Sequence, residues 1–443
     1  MAVEGHRQPR VGRQPRAAGP ERGTRRCDGR CEAVTCDDAV LGGALAGLLT
    51  GSRTSGPAEL PALVHEAARA LGTDGARVLL ADVQQHSLVP LPGPEPGEDG
   101  HRVDIEGTLG GRAYRLQQTQ LSAGPPPTGW FPLVDGVERI GVLRIEGVEG
   151  TALDRHTIEC CEALAGLVAL VVASKSAYSD VIVEAVRRQR MSLQAELLWA
   201  FLPPRTIGTR DVTSSAVLEP AYDVGGDAFD HAVAHGHLHV SVFDAMGHDL
   251  ASGGASSVAL AACRSTRRSG GGLADIARTI DRTLARWIPD RLLTAVIADL
   301  DTATGELSWV NCGHPPPLLI RDARVVPDAL RRRPELPLGL GFHEHGPQPV
   351  HHARLQPGDR LLVYTDGVTE ARSAAGELFG EHRLTDTLVH HMAGGDPAPE
   401  ALRRLVHALL THQDHQLRDD ATIALAEWHP RRHGSGRTVS APA

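Results

Sequence analysis

The sequence lacks the features of secreted and membrane-spanning proteins. Its 443 residues include only seven cysteines, too few for a disulfide-dense framework, and the odd number leaves at least one thiol unpaired, so we expect a reducing compartment. The longest strongly apolar run, residues 163–174, is shorter than the roughly 18 residues of a membrane span and predicts a buried helix. No apolar segment follows the first arginines as in a secretory signal, so we expect a cytoplasmic protein with no membrane partner.

Acidic residues outnumber basic residues over most of the chain. The net charge is −9, so neither nucleic acid nor an anionic membrane surface is expected as the main partner. Residues 1–30 are the exception, with eight arginines against three acidic residues and a net charge of +5. Their low apolar content predicts a disordered basic tail over residues 1–36. This tail holds three cysteines that lack a CxxC pair and an obvious fourth zinc ligand, namely Cys27, Cys31 and Cys36.

Residues 37–174 have the mixed pattern of a small α/β domain. A helix is predicted at 60–71, and strands are predicted at 77–83, 112–118 and 140–145. Helices flanking a small antiparallel sheet would account for this pattern.

Residues 175–204 are predicted to form a helical linker. No glycine or proline occurs between Lys175 and Leu202, and apolar residues recur there at spacings of three and four. The pattern predicts one long amphipathic helix that ends at Pro203-Pro204. Such a helix between two domains favours pairing with a second copy, so we expect a homodimer.

Residues 205–428 are predicted to form a sheet core with helices outside it. The predicted elements are strands at 237–243, 292–300, 306–311, 360–365 and 421–427, and helices at 252–265, 273–287 and 400–412. Residues 429–443 are expected to be a second disordered tail.

Four aspartate motifs stand at strand ends of this segment, beside glycine or another acidic residue. They contain Asp227, Asp244, Asp366 and the pair Asp419-Asp420. Carboxylates that converge without counter-charges repel one another, so such a cluster persists when it is protonated, paired with arginine or filled by cations. Mg²⁺ or Mn²⁺ suits an all-carboxylate site, and two such ions support displacement at phosphorus. Each aspartate taken alone is more often a turn or cap residue, and we interpret Asp249, Asp299 and Asp301 as loop and turn residues.

Eight short segments stand out by their order and spacing along the chain. They are Leu-Pro-Pro at 202–204, Tyr-Asp-Val-Gly-Gly-Asp at 222–227, Phe-Asp-Ala-Met-Gly-His at 243–248, Leu-Thr-Ala-Val-Ile-Ala-Asp-Leu-Asp at 293–301, Asn-Cys-Gly-His-Pro-Pro-Pro at 311–317, Leu-Pro-Leu-Gly-Leu at 336–340, Tyr-Thr-Asp-Gly-Val-Thr-Glu-Ala at 364–371 and Asp-Asp-Ala-Thr at 419–422. In these segments, residues 205–428 resemble the SpoIIE-type branch of the PPM (PP2C-like) metal-dependent serine/threonine phosphatases.

The resemblance implies an α+β fold, an αββα sandwich with two Mn²⁺ or Mg²⁺ ions at one edge. It implies that metal-activated water hydrolyses a phosphoserine or phosphothreonine directly, without a phosphoenzyme. Asp244 would bridge both ions, the backbone carbonyl of Ala245 would bind one, and Asp227, Asp366 and Asp419 would complete the catalytic metal shell. Asp420 would be an outer-shell residue or a ligand of a third ion.

The chain departs from the family pattern without losing a ligand. Asp249 replaces a frequent glycine and Cys312 a frequent alanine, and no residue can be matched to the arginine that holds substrate phosphate in eukaryotic relatives. His314 is interpreted as a structural turn residue rather than a general acid. Cys312 lacks the partners of a nucleophile.

Residues 37–174 are similar to a GAF domain, chiefly at 105–115 and 130–145. Such domains dimerise or bind small ligands, and the sequence does not identify a ligand. Cys160 and Cys161 precede the apolar run and are interpreted as buried packing residues.

These observations predict a sensor-gated, metal-dependent protein phosphatase. By resemblance, its substrate is a phosphorylated STAS-domain antagonist of an anti-sigma factor. A non-catalytic binding module of the same fold and a phosphatase of small phosphoesters remain alternatives.

Overall fold

The structure of the protein is a computed structural model that describes residues 38–93, 101–150, 152–344, 349–414, 417 and 419–430. All of these residues belong to one compact unit, residues 35–443. The predicted basic tail with its three cysteines lies outside the described residues, as does the predicted C-terminal tail beyond residue 430.

The first domain is one antiparallel sheet with helices on both faces. Its helices and strands, in chain order, are α1 (Asp38–Thr54), α2 (Leu60–Ala70), β1 (Gly75–Ala81), β2 (Ser87–Pro90), β3 (Val103–Asp104), α3 (Leu109–Leu116), β4 (Gln120–Ser122), β5 (Thr128–Asp135), β6 (Glu138–Glu146) and α4 (Arg155–Ser176). The strand order is β3-β2-β1-β6-β5-β4. Helices α1, α2 and α4 cover the larger core and α3 covers a smaller one on the opposite face, because strand side chains alternate between the two faces.

The strand predicted at residues 112–118 is wrong, because this segment belongs to helix α3. Thr108 caps the helix by accepting a hydrogen bond from the Gly111 amide at 2.9 Å. A side chain at Gly111 would also clash with the Ile105 carbonyl oxygen, since an added Cβ would lie 1.9 Å from it. The cap and this close backbone approach outweigh the β-like pattern of the sequence.

Helix α4 contains the apolar run and is longer than that run alone indicates. It is the one helix among the described residues that is long and apolar enough to cross a membrane by length and composition. One of its faces, which includes Cys160, Cys161 and Leu164, is buried in the core of the first domain. The predictions of a buried helix and of buried cysteines are confirmed.

The predicted continuous linker helix is wrong. The segment forms α5 (Asp180–Val186) and α6 (Leu193–Phe201), separated from α4 and from each other by non-helical residues. Ser179 and Ser192 cap the two helices through their side chains. Ile182 of α5 is buried in the core of the first domain, whereas Ala195 and Leu198 of α6 are buried in the core of the second. The apolar residues of this segment therefore pack into two cores within the chain and do not form one exposed apolar stripe.

The second domain contains two antiparallel sheets. Its elements are β7 (Thr206–Gly208), β8 (Val212–Glu219), β9 (Asp227–Ala234), β10 (His237–Ala245), α7 (Leu250–Arg268), α8 (Leu273–Trp287), β11 (Leu293–Asp301), β12 (Glu306–Cys312), β13 (Leu318–Arg321), β14 (Arg324–Val325), β15 (His351–Arg354), β16 (Arg360–Tyr364), α9 (Asp366–Thr369), α10 (Gly380–Ala393), α11 (Ala398–His412) and β17 (Ala421–Trp428). The strand orders are β15-β12-β11-β10-β9 and β14-β13-β16-β17-β8-β7.

The two sheets pack face to face between two pairs of helices. Helices α7 and α8 cover the first sheet, and α10 and α11 cover the second. Every strand and helix predicted for residues 205–428 is present, with ends shifted by a few residues. The mixed α+β fold is confirmed, and the layers are arranged as the αββα prediction requires.

A buried ion-pair cluster joins the first domain to α11. Glu400 accepts hydrogen bonds from Arg403 Nη2 at 2.8 Å and from Arg139 Nη1 of β6 at 3.1 Å. Arg403 also pairs with Glu106 of the first domain. The Glu400 side chain is 0% exposed. Burial opposes its ionisation, but Arg403 and Arg139 outweigh that effect and lower the pKa of Glu400, so the carboxylate stays charged.

Glu400→Ala should lower the free energy of unfolding by roughly 3–5 kcal/mol, because it leaves buried guanidinium groups without a counter-charge. Urea denaturation at neutral pH measures the loss. Glu159→Ala is the matched control, since it breaks an exposed pair with Arg155 on α4 and should cost at most about 0.5 kcal/mol. Equal losses in the two variants would contradict a stabilising role for the interdomain cluster.

Candidate metal centre

Three polar residues lie side by side on neighbouring strands of the β15-β12-β11-β10-β9 sheet, which is the first sheet of the second domain. Strand register places Asp244 of β10 directly opposite Asp227 of β9 on one side and Thr294 of β11 on the other. Directly opposed residues of antiparallel strands point to the same face, so the two carboxylates are neighbours. The Thr294 hydroxyl lies 3.4 Å from Asp244 Oδ2.

The second sheet contributes carboxylates from the ends of two paired strands. Asp366 begins α9 two residues after the end of β16, and Asp419 lies two residues before β17. The edges of the two sheets meet here, because the Thr365 hydroxyl, next to Asp366, donates a hydrogen bond to Asp227 Oδ2 at 2.8 Å. Asp227 is buried, Asp244 is half-buried, and Asp366 and Asp419 are exposed. The group therefore extends from the interior to the solvent.

Two glycines permit the close backbone approach on which this convergence depends. An added Cβ at Gly226 would lie 2.3 Å from the carbonyl oxygen of Ala245, and one at Gly367 would lie 1.9 Å from the carbonyl oxygen of Asp420. Any side chain at either position would push the strand ends apart. The Gly-Asp and Asp-Gly pairs in the sequence thus reflect a requirement for space as well as for turns.

Asp420 connects the two sheets at the site. Its carboxylate accepts hydrogen bonds from three successive amides, those of Gly225 at 2.8 Å, Gly226 at 2.6 Å and Asp227 at 3.1 Å. These contacts occupy the carboxylate and fix the backbone that carries Asp227. Asp420 is therefore placed to orient a ligand rather than to be one.

The concentration of negative charge makes the cluster costly without cations. Burial, followed by the charges of Asp244 and Asp420, raises the pKa of Asp227 well above its usual range. Burial, followed by the charges of Asp366 and Asp419, raises the pKa of Asp244 to about 7. Among the described residues, no Arg, Lys or His forms an ion pair with Asp227, Asp244, Asp366 or Asp419. Cations are the counter-charges that would stabilise the ionised cluster.

The donor chemistry fits hard divalent ions. Asp227, Asp244, Asp366, Asp419 and the carbonyl of Ala245 offer only oxygen, the donor that Mg²⁺ and Mn²⁺ prefer. The glycine at 226 leaves open the space beside the Ala245 carbonyl that a Cβ would fill. The residues present therefore fit the expected ions.

A more compact group lies elsewhere in this domain. Within the described residues, Asp230, His239 and Cys263 form the one trio of metal-capable side chains whose ligand atoms all lie within 4.8 Å of one another. Asp230, however, already accepts hydrogen bonds from Arg264 and Arg267. Burial also raises the pKa of Cys263 to about 12. With two guanidinium groups beside a neutral thiol, the trio is an ion-paired core cluster.

Sequence reasoning missed two threonines at the carboxylate cluster. Thr365 donates a hydrogen bond to Asp227 Oδ2 at 2.8 Å, linking β16 to β9. Thr294 contacts Asp244 and also lies 2.7 Å from His314 Nδ1. Their only signal in the sequence is position, since Thr365 precedes Asp366 and Thr294 follows the start of a strand.

His314 and Cys312 have structural surroundings. Both ring nitrogens of the buried His314 are engaged, Nδ1 with Thr294 and Nε2 with the Tyr364 carbonyl at 3.0 Å, and Asn311 closes the turn around it. Burial lowers the pKa of His314 to about 4, so the ring is neutral at pH 7. Burial raises the pKa of Cys312 to about 12, which leaves its thiol protonated.

A family model described as "Stage II sporulation protein E (SpoIIE)" matches residues 234–429. This segment contains three of the four clustered aspartates, with Asp227 just before it. Residues 234–429 are therefore similar to SpoIIE-type proteins.

Two curated relatives are similar to part of this segment. The chain is 30% identical over 125 residues to protein IcfG of Synechocystis sp., covering 28% of this chain and 19% of the relative. It is 22% identical over 209 residues to phosphoserine phosphatase RsbU of Bacillus subtilis, covering 47% of this chain and 61% of the relative. The chain thus spans less than two thirds of the length of either relative.

A solved structure of similar fold is the catalytic domain of the serine/threonine protein phosphatase PstP in complex with two manganese ions. It is 18% identical with a TM-score of 0.36, covering 49% of this chain and 99% of that chain.

Gly367→Ala should lower the free energy of unfolding of the second domain by about 1–3 kcal/mol, because the added methyl group overlaps the Asp420 carbonyl. Thermal unfolding measures the change. Gly254→Ala on helix α7 is the control, since its added methyl would meet no atom within 4 Å and should stabilise the helix by up to about 1 kcal/mol. An unchanged melting temperature for Gly367→Ala would contradict the close approach of the two strand ends.

Proposed function

We propose that the protein is a phosphatase that hydrolyses phosphoserine or phosphothreonine on a partner protein with two Mn²⁺ or Mg²⁺ ions. The observation that carries the proposal is the convergence of four aspartates, namely Asp227, Asp244, Asp366 and Asp419. Among the described residues, no Arg, Lys or His forms an ion pair with them, and the segment around them is similar to SpoIIE-type proteins. Unpaired carboxylates at the meeting edge of two sheets support cation binding more strongly than a purely structural role.

Bound ions would supply a hydroxide nucleophile and positive charge at the transferred phosphoryl group. Asp244 would be the ligand that the two ions share, because it lies directly opposite Asp227 and is close enough to Asp366 and Asp419 to be affected by their charges. Thr365 holds the Asp227 carboxylate, and Asp420 holds the backbone beneath it. The exposed Asp366 and Asp419 border the open side, where a substrate can enter.

A phosphorylated STAS-domain protein is the proposed substrate, in a cytoplasmic pathway that controls a sigma factor. The support is the family resemblance and the similarity to a phosphoserine phosphatase over 47% of the chain. A phosphoserine STAS protein and a generic aryl phosphate, assayed side by side, would separate protein substrates from small phosphoesters by their relative rates.

Asp244→Asn should reduce Mn²⁺-dependent hydrolysis of both substrates by more than about a hundredfold, since it removes the carboxylate that would contact both ions. A chelator should abolish turnover by the wild-type protein. Steady-state rates with Mn²⁺ and with chelator measure both effects.

The matched control is Asp299→Asn. Asp299, which was expected in a loop, lies in β11, where it pairs with His237 away from the cluster. The hydrolysis rate of the Asp299→Asn variant should stay near the wild-type value. A folded wild-type protein that binds Mn²⁺ but turns over neither substrate would favour a binding module of the same fold.

We further propose that the first domain acts as a GAF-like sensor of a small ligand and gates the site through the linker. The linker contacts the segment that leads to Asp227. The Tyr222 hydroxyl accepts a hydrogen bond from the Arg188 amide at 2.8 Å, and the Tyr222 carbonyl accepts one from the Ser192 amide at 2.9 Å. Trp199 of α6 donates to the Ala221 carbonyl at 2.8 Å.

The first domain also contacts this segment directly. Gln84, in the turn between β1 and β2, donates to Glu219 Oε2 at 3.2 Å. Arg205, directly after the linker, donates to the Val83 carbonyl of the same turn. A rearrangement of the first domain or of a homodimer formed through it would therefore act on residues 219–227. These contacts support gating without one continuous helix.

Tyr222→Phe should change Mn²⁺ affinity or turnover about fivefold, because loss of one partly buried hydrogen bond changes the free energy by about 1 kcal/mol. Calorimetric Mn²⁺ titration and steady-state rates measure the effect. Tyr178→Phe is the control, since Tyr178 lies at the start of the linker, is 67% exposed and is far in the chain from residues 219–227. Equal effects of the two variants would contradict communication through Tyr222.

A further inference from the structure

A closed set of polar contacts surrounds the turn that carries Asp244 and Ala245. Arg291, which lies between α8 and β11, donates from Nη2 to Asp249 Oδ2 at 2.6 Å and from Nη1 to the Met246 carbonyl at 3.3 Å. Ser252 donates to the same Met246 carbonyl at 3.0 Å, and its hydroxyl also contacts Asp249 Oδ1 at 2.9 Å. One guanidinium group thus links both ends of the turn.

The turn itself needs an external support. Gly247 has a φ of +98°, a conformation that side-chain-bearing residues rarely adopt. An added Cβ at Gly247 would lie 3.0 Å from both Arg291 Nη1 and Ser252 Oγ, so these two groups pack directly against the turn. The residues from 246 to 250 are otherwise exposed. The Arg291 fork and the Ser252 hydroxyl therefore provide its lateral contacts.

Arg291 is itself held from behind by a loop that α8 organises. The buried Asp281 accepts hydrogen bonds from four backbone amides of this loop, those of Gly339 at 2.7 Å, Leu340 at 3.0 Å, Gly341 at 3.0 Å and His343 at 2.8 Å. An added Cβ at Gly339 would lie 2.4 Å from the Arg291 carbonyl oxygen, so the loop presses against the Arg291 backbone. The Leu-Pro-Leu-Gly-Leu segment thus packs against the Arg291 backbone and helps to hold it in place.

We propose that Arg291 is a positioning residue that clamps the 244–249 turn, so that the Asp244 carboxylate and the Ala245 carbonyl face the metal centre. The proposal rests on the proposed function, because it concerns the geometry of that same site. Arg291 reaches the turn through the Met246 carbonyl, the Ser252 hydroxyl and the Asp249 carboxylate. Asp249, which replaces a frequent glycine of the family, supplies the charge that holds the guanidinium in place.

The planar fork of arginine is the property that the clamp uses. Two nitrogen atoms of one rigid group reach Asp249 and Met246 at the same time, which a single lysine ammonium cannot reproduce with the same geometry. Groups that orient metal ligands typically contribute about 10–100-fold to metal affinity or activity. Arg291→Lys should therefore resemble Arg291→Gln, even though it keeps the charge.

The test is calorimetric titration of Mn²⁺ into the metal-free full-length protein, with thermal unfolding of each variant as a check on folding. Arg291→Lys and Arg291→Gln should both bind Mn²⁺ about tenfold more weakly than the wild type. Asp249→Asn should weaken binding in the same direction, because asparagine keeps the helix cap but loses the charge. The Asp249→Asn/Arg291→Gln double variant should be no weaker than the weaker single variant, as expected for partners in one interaction.

Arg278→Gln is the matched control, because it breaks an exposed arginine–aspartate pair with Asp275 on the neighbouring helix α8. Its Mn²⁺ affinity should equal that of the wild type. Hydrogen exchange of amides 246–252 should be faster in both Arg291 variants and unchanged in the control, which a general loss of stability would not produce. If Arg291→Gln fails to fold, Arg291→Lys and Asp249→Asn carry the test.

Mn²⁺ binding by the wild type together with affinities within about twofold in both Arg291 variants would overturn the clamp while leaving the proposed function intact. Additive losses in the double variant would also overturn it, because Arg291 and Asp249 would then act separately. Absence of both Mn²⁺ binding and hydrolysis in the folded wild type would instead overturn the proposed function, and the clamp with it.

Discussion

The site depends on one carboxylate that joins two sheets. Asp420 precedes β17 of the second sheet. Its carboxylate oxygen atoms accept hydrogen bonds from the backbone amides that lead into β9 of the first sheet. Without these bonds, three consecutive buried amides would lose their acceptor, and the bond from Thr365 to Asp227 would have to hold the two sheet edges together at this point. The position of Asp227 relative to Asp366 and Asp419 follows from this connection. Gly226 and Gly367 make this connection between the sheets possible, because a side chain at either residue would occupy the space where the backbones approach.

The same arrangement concentrates negative charge where hydrophobic packing ends. Burial and mutual repulsion raise the pKa values of Asp227 and Asp244, so the fold holds these groups at an energetic cost in the absence of cations. The cost is limited because the cluster opens to solvent at Asp366 and Asp419. Asp230 shows the alternative solution within the same domain, since Arg264 and Arg267 neutralise it fully inside the structure. A cluster left without such partners is suited to exchangeable cations.

Much of this site could be predicted from the sequence, because strand ends and Asp-Gly pairs are local signals. The register that sets Asp244 opposite Asp227 follows from the hairpin between β9 and β10, with Gly236 in its tight turn. The supports could not be predicted. Thr365, Asp281 and Arg291 act through partners that are distant in the chain, and nothing in their neighbouring residues distinguishes them from ordinary surface or core positions. The prediction of one continuous linker helix failed for a related reason. The periodicity of apolar residues shows that a helix has an apolar face, but it does not show in which core that face is buried.

The division of the linker changes how the two domains can communicate. A single rigid helix would transmit rotation or translation along its whole length, whereas α5 and α6 are anchored in different cores and meet at a non-helical segment. That segment bonds to Tyr222, five residues before Asp227. The ion-pair cluster around Glu400 fixes the first domain to α11 at the same time, and Gln84 bonds to Glu219, so the linker is one of several connections rather than a free tether. A shift of the first domain must therefore either break buried charge pairs or carry α11 with it, and α11 packs on β8 and β17, the strands that flank residues 219–227 and Asp420. Both routes lead to the same carboxylate bridge between the sheets.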